Sequence, residues 1–329
     1  MARIALDAMG GDHAPRAAIA GALLALAELP APHTIQLVGQ PQVIEAELAS
    51  LNADRARLEI IPAADVIGMT DEPSVALRSK ASSMVVGLEL QPRGLSDAFI
   101  SAGNTGAQMA ASMRILKLMP GLERPAIGTV FPTALEPVLV LDSGANVDCS
   151  AEELLQFARL GSVYCEDLLG RSNPVIGLLS VGEEDEKGNA VVKEANALLR
   201  ASGLDFQGNV EGRDIPLGKS ERGPIDVVVC DGFVGNVLLK FYESIAPVVT
   251  RWIGERLKMD PRELQRGLSA LDYSEHGGAP LLGVQGVSII SHGKSNDRAI
   301  KNAIRVTLRA VESHMTEHAS RRLSESVSA

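Results

Sequence analysis

Cysteine is scarce in this chain: Cys149, Cys165 and Cys230 are three among 329 residues, odd in number and without CxxC spacing. That pattern excludes a disulfide framework and a cysteine-built zinc site, and it points to a reducing compartment. Long hydrophobic runs are missing as well. No apolar stretch approaches the ~20 residues that span a bilayer, and the opening MARIALDAMGG is too short in apolar residues for a signal peptide. Nor is there an excess of positive charge. The formal net charge is −10, so the surface as a whole does not attract nucleic acid or anionic lipid. The expectation is a cytoplasmic globular protein that does not bind nucleic acid.

What the chain does hold is aliphatic. Hydrophobic residues are 46% of it and aromatics only 3%, with 31 Gly and 17 Pro. Ala, Val, Leu and Ile in that abundance suit parallel sheets covered by helices on both faces. Short apolar runs at 3–9, 34–39, 57–63, 97–103, 137–144, 174–182, 225–232 and 286–293 read as strands. Helical periodicity follows most of them, at 15–29, 41–51, 73–91, 106–118, 150–169, 190–202, 236–258 and 296–318. This alternation predicts an α/β fold, a three-layer α/β/α sandwich around a mostly parallel sheet. No repeat, linker or composition shift marks a boundary. Residues 1–318 therefore read as one α/β catalytic unit, with any second lobe an insertion and 236–272 a helical excursion. The last stretch, ASRRLSESVSA (319–329), reads as a frayed tail.

Five strand candidates end in similar punctuation: DAMGGDHAP (7–15), SAGNTGA (101–107), DSGANVD (142–148), DGFVGN (231–236) and SHGKSND (291–297). In an open α/β sheet, ligands bind outside the carboxyl ends of the strands. Glycine there lets backbone N–H groups approach an anion, and the following helix offers its positive end. Five such loops on one sheet edge predict a site for a small anion; a helix-capping turn uses the same residue types. The candidate binding residues are Asp7, Gly10, Gly11, His13, Ser101, Gly103, Asn104, Thr105, Gly106, Asp142, Asn146, Asp231, Gly232, Gly235 and His292.

Other chemistries lack their motifs. Neither GKS triplet is a phosphate loop, because Arg213 and Ser288 stand where the leading glycine belongs. There is no GxSxG elbow and no GxGxxG. The six His show no metal spacing with carboxylates, so neither a metal nor another cofactor is expected. Cys230, ending VVVC, reads as a small core hydrophobe rather than a nucleophile.

Taken together, DAMGGDHAP, DEPSVALRSKASSM (71–84), SAGNTGA, LDSGANVD, EKGN, CDGFVGNVLLK and YSEHGGAPLLG resemble the phosphate acyltransferases of bacterial phospholipid synthesis, the PlsX type. The resemblance runs from Arg3 to about Val311 with the motifs in family order. It implies a fold like the isocitrate and isopropylmalate dehydrogenases and a relationship to phosphotransacetylases. It also implies a homodimer that moves a fatty acyl group from acyl carrier protein to inorganic phosphate, whose product a membrane-bound glycerol-3-phosphate acyltransferase consumes. Contact with the inner face of the membrane would run through that partner. The lysine of EKGN, Lys187, and the asparagine of GFVGN, Asn236, are the residues the resemblance marks for catalysis.

That chemistry asks for positioning and oxyanion stabilisation more than for covalent help. The expected arrangement has SAGNTGA and DGFVGN cradling phosphate, with Asn104 and Thr105 donating from their side chains. Asn236, at the start of the next helix, donates to phosphate or to the oxyanion. Lys187 neutralises phosphate or the leaving sulfur; an ordinary solvated charge among Glu183, Glu184, Asp185 and Glu186 is the other reading. Asp7 and His13 read either as a pair fixing the first turn or as a catalytic couple. Arg78 and Lys80, or Arg251, Arg256, Lys258, Arg262 and Arg266, are candidate docks for the acidic carrier. Along 236–258, an apolar stripe through Leu238, Phe241, Ile245, Val248, Val249, Trp252 and Ile253 suits core or dimer packing, with a lipid-facing role as the other reading. An acyl-CoA-dependent phosphotransacylase is the alternative activity. A dehydrogenase of the same fold would need a metal-binding carboxylate cluster, and none is evident.

Overall fold

A computed structural model of the chain describes residues 1–258 and 277–327. The chain divides into two units, Met1–Gly121 with His276–Ala329, and the intervening Leu122–Glu275. In the first unit the strands lie in the order Leu58–Pro62, Thr34–Gly39, Arg3–Asp7, Ala98–Ser101, Ser288–Ile290, Ala279–Leu282. The first five run parallel and the last is antiparallel to its neighbour. All eight strand runs read from the sequence are present, and the fold is mostly parallel α/β as expected.

Burial on both faces explains the aliphatic composition. Ile4, Ala5 and Leu6 in the first strand and Ala98, Phe99 and Ile100 in its neighbour are all fully buried. A helix at Ser83–Glu89 covers one face so closely that a methyl on Gly87 would meet the Phe99 ring at 2.4 Å. Elsewhere in this unit, helices Arg16–Glu28 and Asp297–Glu312 pack together, and a Cβ on Gly21 would stand 2.6 Å from Ile300.

The second unit holds a five-stranded sheet, ordered Thr129–Phe131, Val138–Leu141, Val227–Val229, Ile176–Leu179, Phe206–Val210, with only the first strand antiparallel. Alternation sorts its two faces. Val138, Val140 and Val228 join Phe131 and Cys230 in one core, closed by Leu238, Leu239 and Tyr242 of the helix Gly232–Leu257. The Tyr242 ring meets Phe131 edge-on at 5.2 Å, and its hydroxyl donates to the Pro132 carbonyl. On the other face, Leu141 and Val227 meet Gly161 of the helix Ala151–Leu169. That helix starts on a capping box of Ser150 with Glu153 and stops at left-handed Gly170.

Several expectations need correction. The stretch 73–91 is two helices, Val75–Arg78 and Ser83–Glu89, because Ser82 takes an extended backbone and caps the second. The helix expected from 236 begins at Gly232, capped by Asp231, whose side chain accepts from the Val234 N–H at 2.8 Å. Asn236 therefore sits in the second turn rather than at the start. Helical backbone runs on through Met315–Val327 with Ala319 and Leu323 buried, so 319–327 is no frayed tail. Of the expected helical excursion, residues 259–272 lie outside the described residues, as do Arg262, Arg266 and the YSEH of the last motif.

Candidate active site

The five glycine-bounded strand ends do not share one sheet. Asp7–Gly11, Ser101–Asn104 and Ser291–Gly293 close strands of the first unit; Asp142–Asn146 and Asp231–Gly235 close strands of the second. SAGNTGA and DGFVGN thus belong to different units. Sequence gives strand endings but not the order of strands across a sheet, which is where that expectation failed.

At the first unit's edge, Asp7 ends the first strand and is almost fully buried. Its Oδ2 accepts from Ser101 Oγ at 2.7 Å and its Oδ1 from the Met9 N–H at 3.0 Å. Ser101 in turn accepts from the Gly103 N–H at 2.9 Å. Burial pushes the Asp7 carboxyl above the usual carboxylate value, while Ser83, Ser101 and the N–H groups of Met9 and Gly10 pull it down. Gly10 sits tight against this knot: a Cβ there would stand 2.7 Å from Asp7 Oδ2 and 2.8 Å from the Gly103 nitrogen. No bond joins Asp7 to His13, which is exposed; the expected pair is replaced by Asp7 with Ser101 and Ser83.

Asn104 was expected to donate to phosphate, and its bonding corrects that. Its Oδ1 caps the helix Thr105–Ile115 through the Ala107 N–H at 3.0 Å. Its Nδ2 donates to the carbonyl of Asp71 at 2.8 Å and faces those of Met69 and Gly68 at 3.2 and 3.4 Å. The amide ties the 68–71 loop to the helix start. Thr105 is exposed at the head of that helix, while Gly106 lies against Pro73. Gly11 has left-handed backbone, and the next N–H, that of Asp12, donates to the Gly293 carbonyl at 2.7 Å. Beside it, half-buried His292 accepts from the Lys294 N–H at 3.1 Å. Arg78 and Lys80 are exposed.

The second unit's edge is built on Asp142, a fully buried carboxylate. It accepts from the N–H groups of Ile127, Gly144 and Ala145 through Oδ1, and from the backbone and side chain of Asn146 through Oδ2, at 2.7–3.1 Å. Burial raises its carboxyl against those donors. Asn146 also donates to the Pro125 carbonyl at 2.8 Å. Both residues therefore shape the turn: the two Asp142 oxygens are filled by it, which corrects the assignment of that carboxyl to ligand binding, and the Asn146 amide nitrogen is spent on it.

Onto this turn the helix Gly232–Leu257 is pressed. The Gly232 N–H donates to the Asn146 carbonyl at 2.7 Å, and a Cβ on Gly235 would fall 1.8 Å from the Asp142 carbonyl oxygen. Only glycine admits so close an approach. One residue on, the Asn236 side chain lies over Gly144, where an added Cβ would stand 3.5 Å from its Oδ1. Asn236 is exposed. Gly144, left-handed at φ 128°, is absent from the candidate residues above, and its place between Ser143 and Ala145 in DSGANVD is the only trace of it in the sequence.

Lys187 lies on the loop after the strand Ile176–Leu179, which pairs directly with Val227–Val229, the strand before Asn236. Its ammonium is exposed, 4.0 Å from Glu184, and its stem crosses Gly182. The two residues marked for catalysis are thus carried by neighbouring strand ends of one sheet. No thiol here is ready as a nucleophile. Burial, then the Asp142 carboxylate, pushes Cys149 up to about 12, and burial holds Cys165 at about 12 and Cys230 well above its ordinary value.

An amine and an amide presented at the carboxyl edge of a parallel sheet fit an α/β group-transfer enzyme, and solved structures agree on the fold. A phosphotransacetylase from Streptococcus pyogenes superposes with a TM-score of 0.63 at 17% identity, covering 94% of each chain. The 4-hydroxythreonine-4-phosphate dehydrogenase of Klebsiella pneumoniae does so at 0.53 and 15%, covering 94% of this chain and 100% of that one. In sequence, the family described as fatty acid synthesis protein matches residues 2–318. The phosphate acyltransferase of Heliobacterium modesticaldum is 49% identical over 324 residues, 94% of each chain, and that of Desulfitobacterium hafniense strain DCB-2 is 46% identical over 332 residues, covering 98% of this chain and 97% of that one. The chain belongs to this phosphate acyltransferase family and is an acyltransferase.

Proposed function

We propose that this enzyme transfers a fatty acyl group from acyl carrier protein to inorganic phosphate, giving acyl phosphate and free carrier. The observation that supports it most is the placement of Lys187 and Asn236 on adjoining strand ends of the second unit, in a chain of this family. Lys187 offsets phosphate charge, and the Asn236 amide donates to the oxygen that becomes negative. A phosphate oxygen attacks the thioester carbon, and the carbonyl electron pair moves onto oxygen. The tetrahedral oxyanion then collapses, the C–S bond breaks, and the thiolate leaves and takes a proton from water. Thiols titrate near ~8.5, so this leaving group needs little protonation. The raised thiols of Cys149, Cys165 and Cys230 favour direct attack over an acyl-cysteine.

The product passes to a membrane-bound glycerol-3-phosphate acyltransferase on the way to phosphatidic acid. Work in the cytoplasm suits this role, with membrane contact made through that partner. A homodimer is part of the same proposal. Val237, Phe241, Ile245, Val248 and Trp252 form an exposed apolar stripe along one helix, distinct from the Leu238, Leu239 and Tyr242 that cover the core. Covering the stripe with a second copy would remove that apolar surface from water, worth roughly 25 cal/mol per Å² buried.

The test is release of free thiol from acyl carrier protein with and without phosphate, alongside acyl-CoA. Phosphate-dependent release with preference for the carrier is the expected result. Release that ignores phosphate denotes a thioesterase, and preference for acyl-CoA overturns the choice of donor.

A further inference from the structure

We propose that a basic hollow on the first unit is the docking surface for the acidic carrier. The proposal rests on the donor chosen above and adds where that donor lands. The hollow measures about 620 Å³ and is lined by Lys80, Arg93 and Arg114 with Glu89, Pro92 and Ile115. Three cations face one carboxylate there, on a chain whose total charge of −10 repels an acidic partner. Attraction between two acidic proteins has to be local, and complementary patches supply it chiefly through association rate.

The cations are held in different ways. Arg93 is braced by Glu89 at 2.6 Å, and Arg114 donates to the Leu77 carbonyl at 2.6 Å. Anchoring of that kind reduces the ordering cost when a carboxylate arrives. Lys80 is exposed and has no ion pair among the described residues. Arg78, two residues before Lys80, is exposed at the end of the short helix Val75–Arg78, and Leu77 beside it offers an apolar contact. The sequence hid this cluster because Lys80, Arg93 and Arg114 are dispersed along the chain, each an ordinary surface charge in its own segment. In the rival basic group Arg251 pairs with Glu255 at 2.9 Å, as Arg93 does with Glu89, and Arg256 stacks over Trp252 at 5.5 Å; what sets the hollow apart is Lys80, a cation with no carboxylate partner among the described residues.

The test compares Lys80→Glu/Arg93→Glu, the milder Lys80→Gln/Arg93→Gln, and Arg251→Glu/Arg256→Glu, with circular dichroism for folding. The readouts are KM for acylated carrier, KM for phosphate, kcat, and anisotropy of labelled carrier. Charge reversal at the hollow is expected to raise carrier KM and Kd by about tenfold or more at low salt, with phosphate KM unmoved. The gap should narrow as added salt shortens the ~10 Å screening length. The glutamine pair gives a smaller shift of the same sign, so a misfolded glutamate pair does not rescue the idea. Unchanged carrier KM in the hollow variants, or a loss confined to the Arg251/Arg256 pair, overturns it. A wild-type enzyme that turns over acyl-CoA but binds no carrier overturns the donor assignment itself, and that result is distinct.

Discussion

Replacing Gly235 with Ala puts the contact between the Gly232–Leu257 helix and the Asp142 turn under direct strain. The new Cβ would fall 1.8 Å from the Asp142 carbonyl oxygen, 2.9 Å from its carbon and 3.1 Å from the Ser143 Cα. Non-bonded heavy atoms rest at about 3.5 Å, so helix and turn must part by roughly 1.5–2 Å. Nothing flexible can give way, because the obstructing atoms are backbone and Asp142 is fixed by five donors. Overpacking of this kind costs about 1–3 kcal/mol, a fall in Tm of roughly 5 °C for a unit of this size. Asn236 is the next residue and moves with the helix. A displacement of about 1 Å in positioned groups costs on the order of 10² in rate. The assay pairs thermal denaturation with phosphate-dependent thiol release, and Gly212→Ala serves as control because nothing lies within 4 Å of its added Cβ. A Gly235→Ala enzyme with wild-type Tm and wild-type kcat would refute the reasoning.

Three further outcomes are expected. Asn236→Ala, at an exposed position, should keep the wild-type Tm and lower kcat by about 10²–10³, the usual loss for one oxyanion donor; unchanged turnover removes it from the reaction. Cys149→Ser should retain wild-type turnover, and alkylating reagents at neutral pH should modify Cys149 slowly, since its thiol is pushed up to about 12; rapid inactivation would contradict this. Asp7 gives the pH dependence. Burial raises its folded carboxyl above the unfolded value, so the folded state holds the proton more tightly. Its contribution to stability is complete below the unfolded value and is lost as pH rises through the folded one. Urea denaturation should therefore show the stability of wild type relative to Asp7→Asn declining as pH climbs from about 4, and a gap that widens would reverse the sign.

Strands were the legible part of the fold, because buried parallel strands announce themselves as unbroken apolar runs. Val227–Val229 and Val138–Leu141 are examples, while Phe206–Val210 escaped because FQGNV carries a Gln, a Gly and an Asn. Candidate site residues were harder to sort. Asn104, Asp142 and Asn146 occupy glycine-rich turns, as ligand-binding residues do, yet their partners are Gly68–Asp71, Ile127 and Pro125, far along the chain or across a turn. A polar side chain beside glycine looks the same in sequence whether it meets a ligand or a distant carbonyl. Lys187 and Asn236 emerged through the motif resemblance, and only the strand order shows that they follow neighbouring strands.

The most direct test of the central claim is a single-turnover experiment with radiolabelled acyl carrier protein, quenched at short times with and without phosphate. Label should pass straight to acyl phosphate when phosphate is present, and without phosphate none should remain on the denatured enzyme. Label covalently bound to the protein, formed and discharged at the rate of turnover, would contradict direct attack by phosphate.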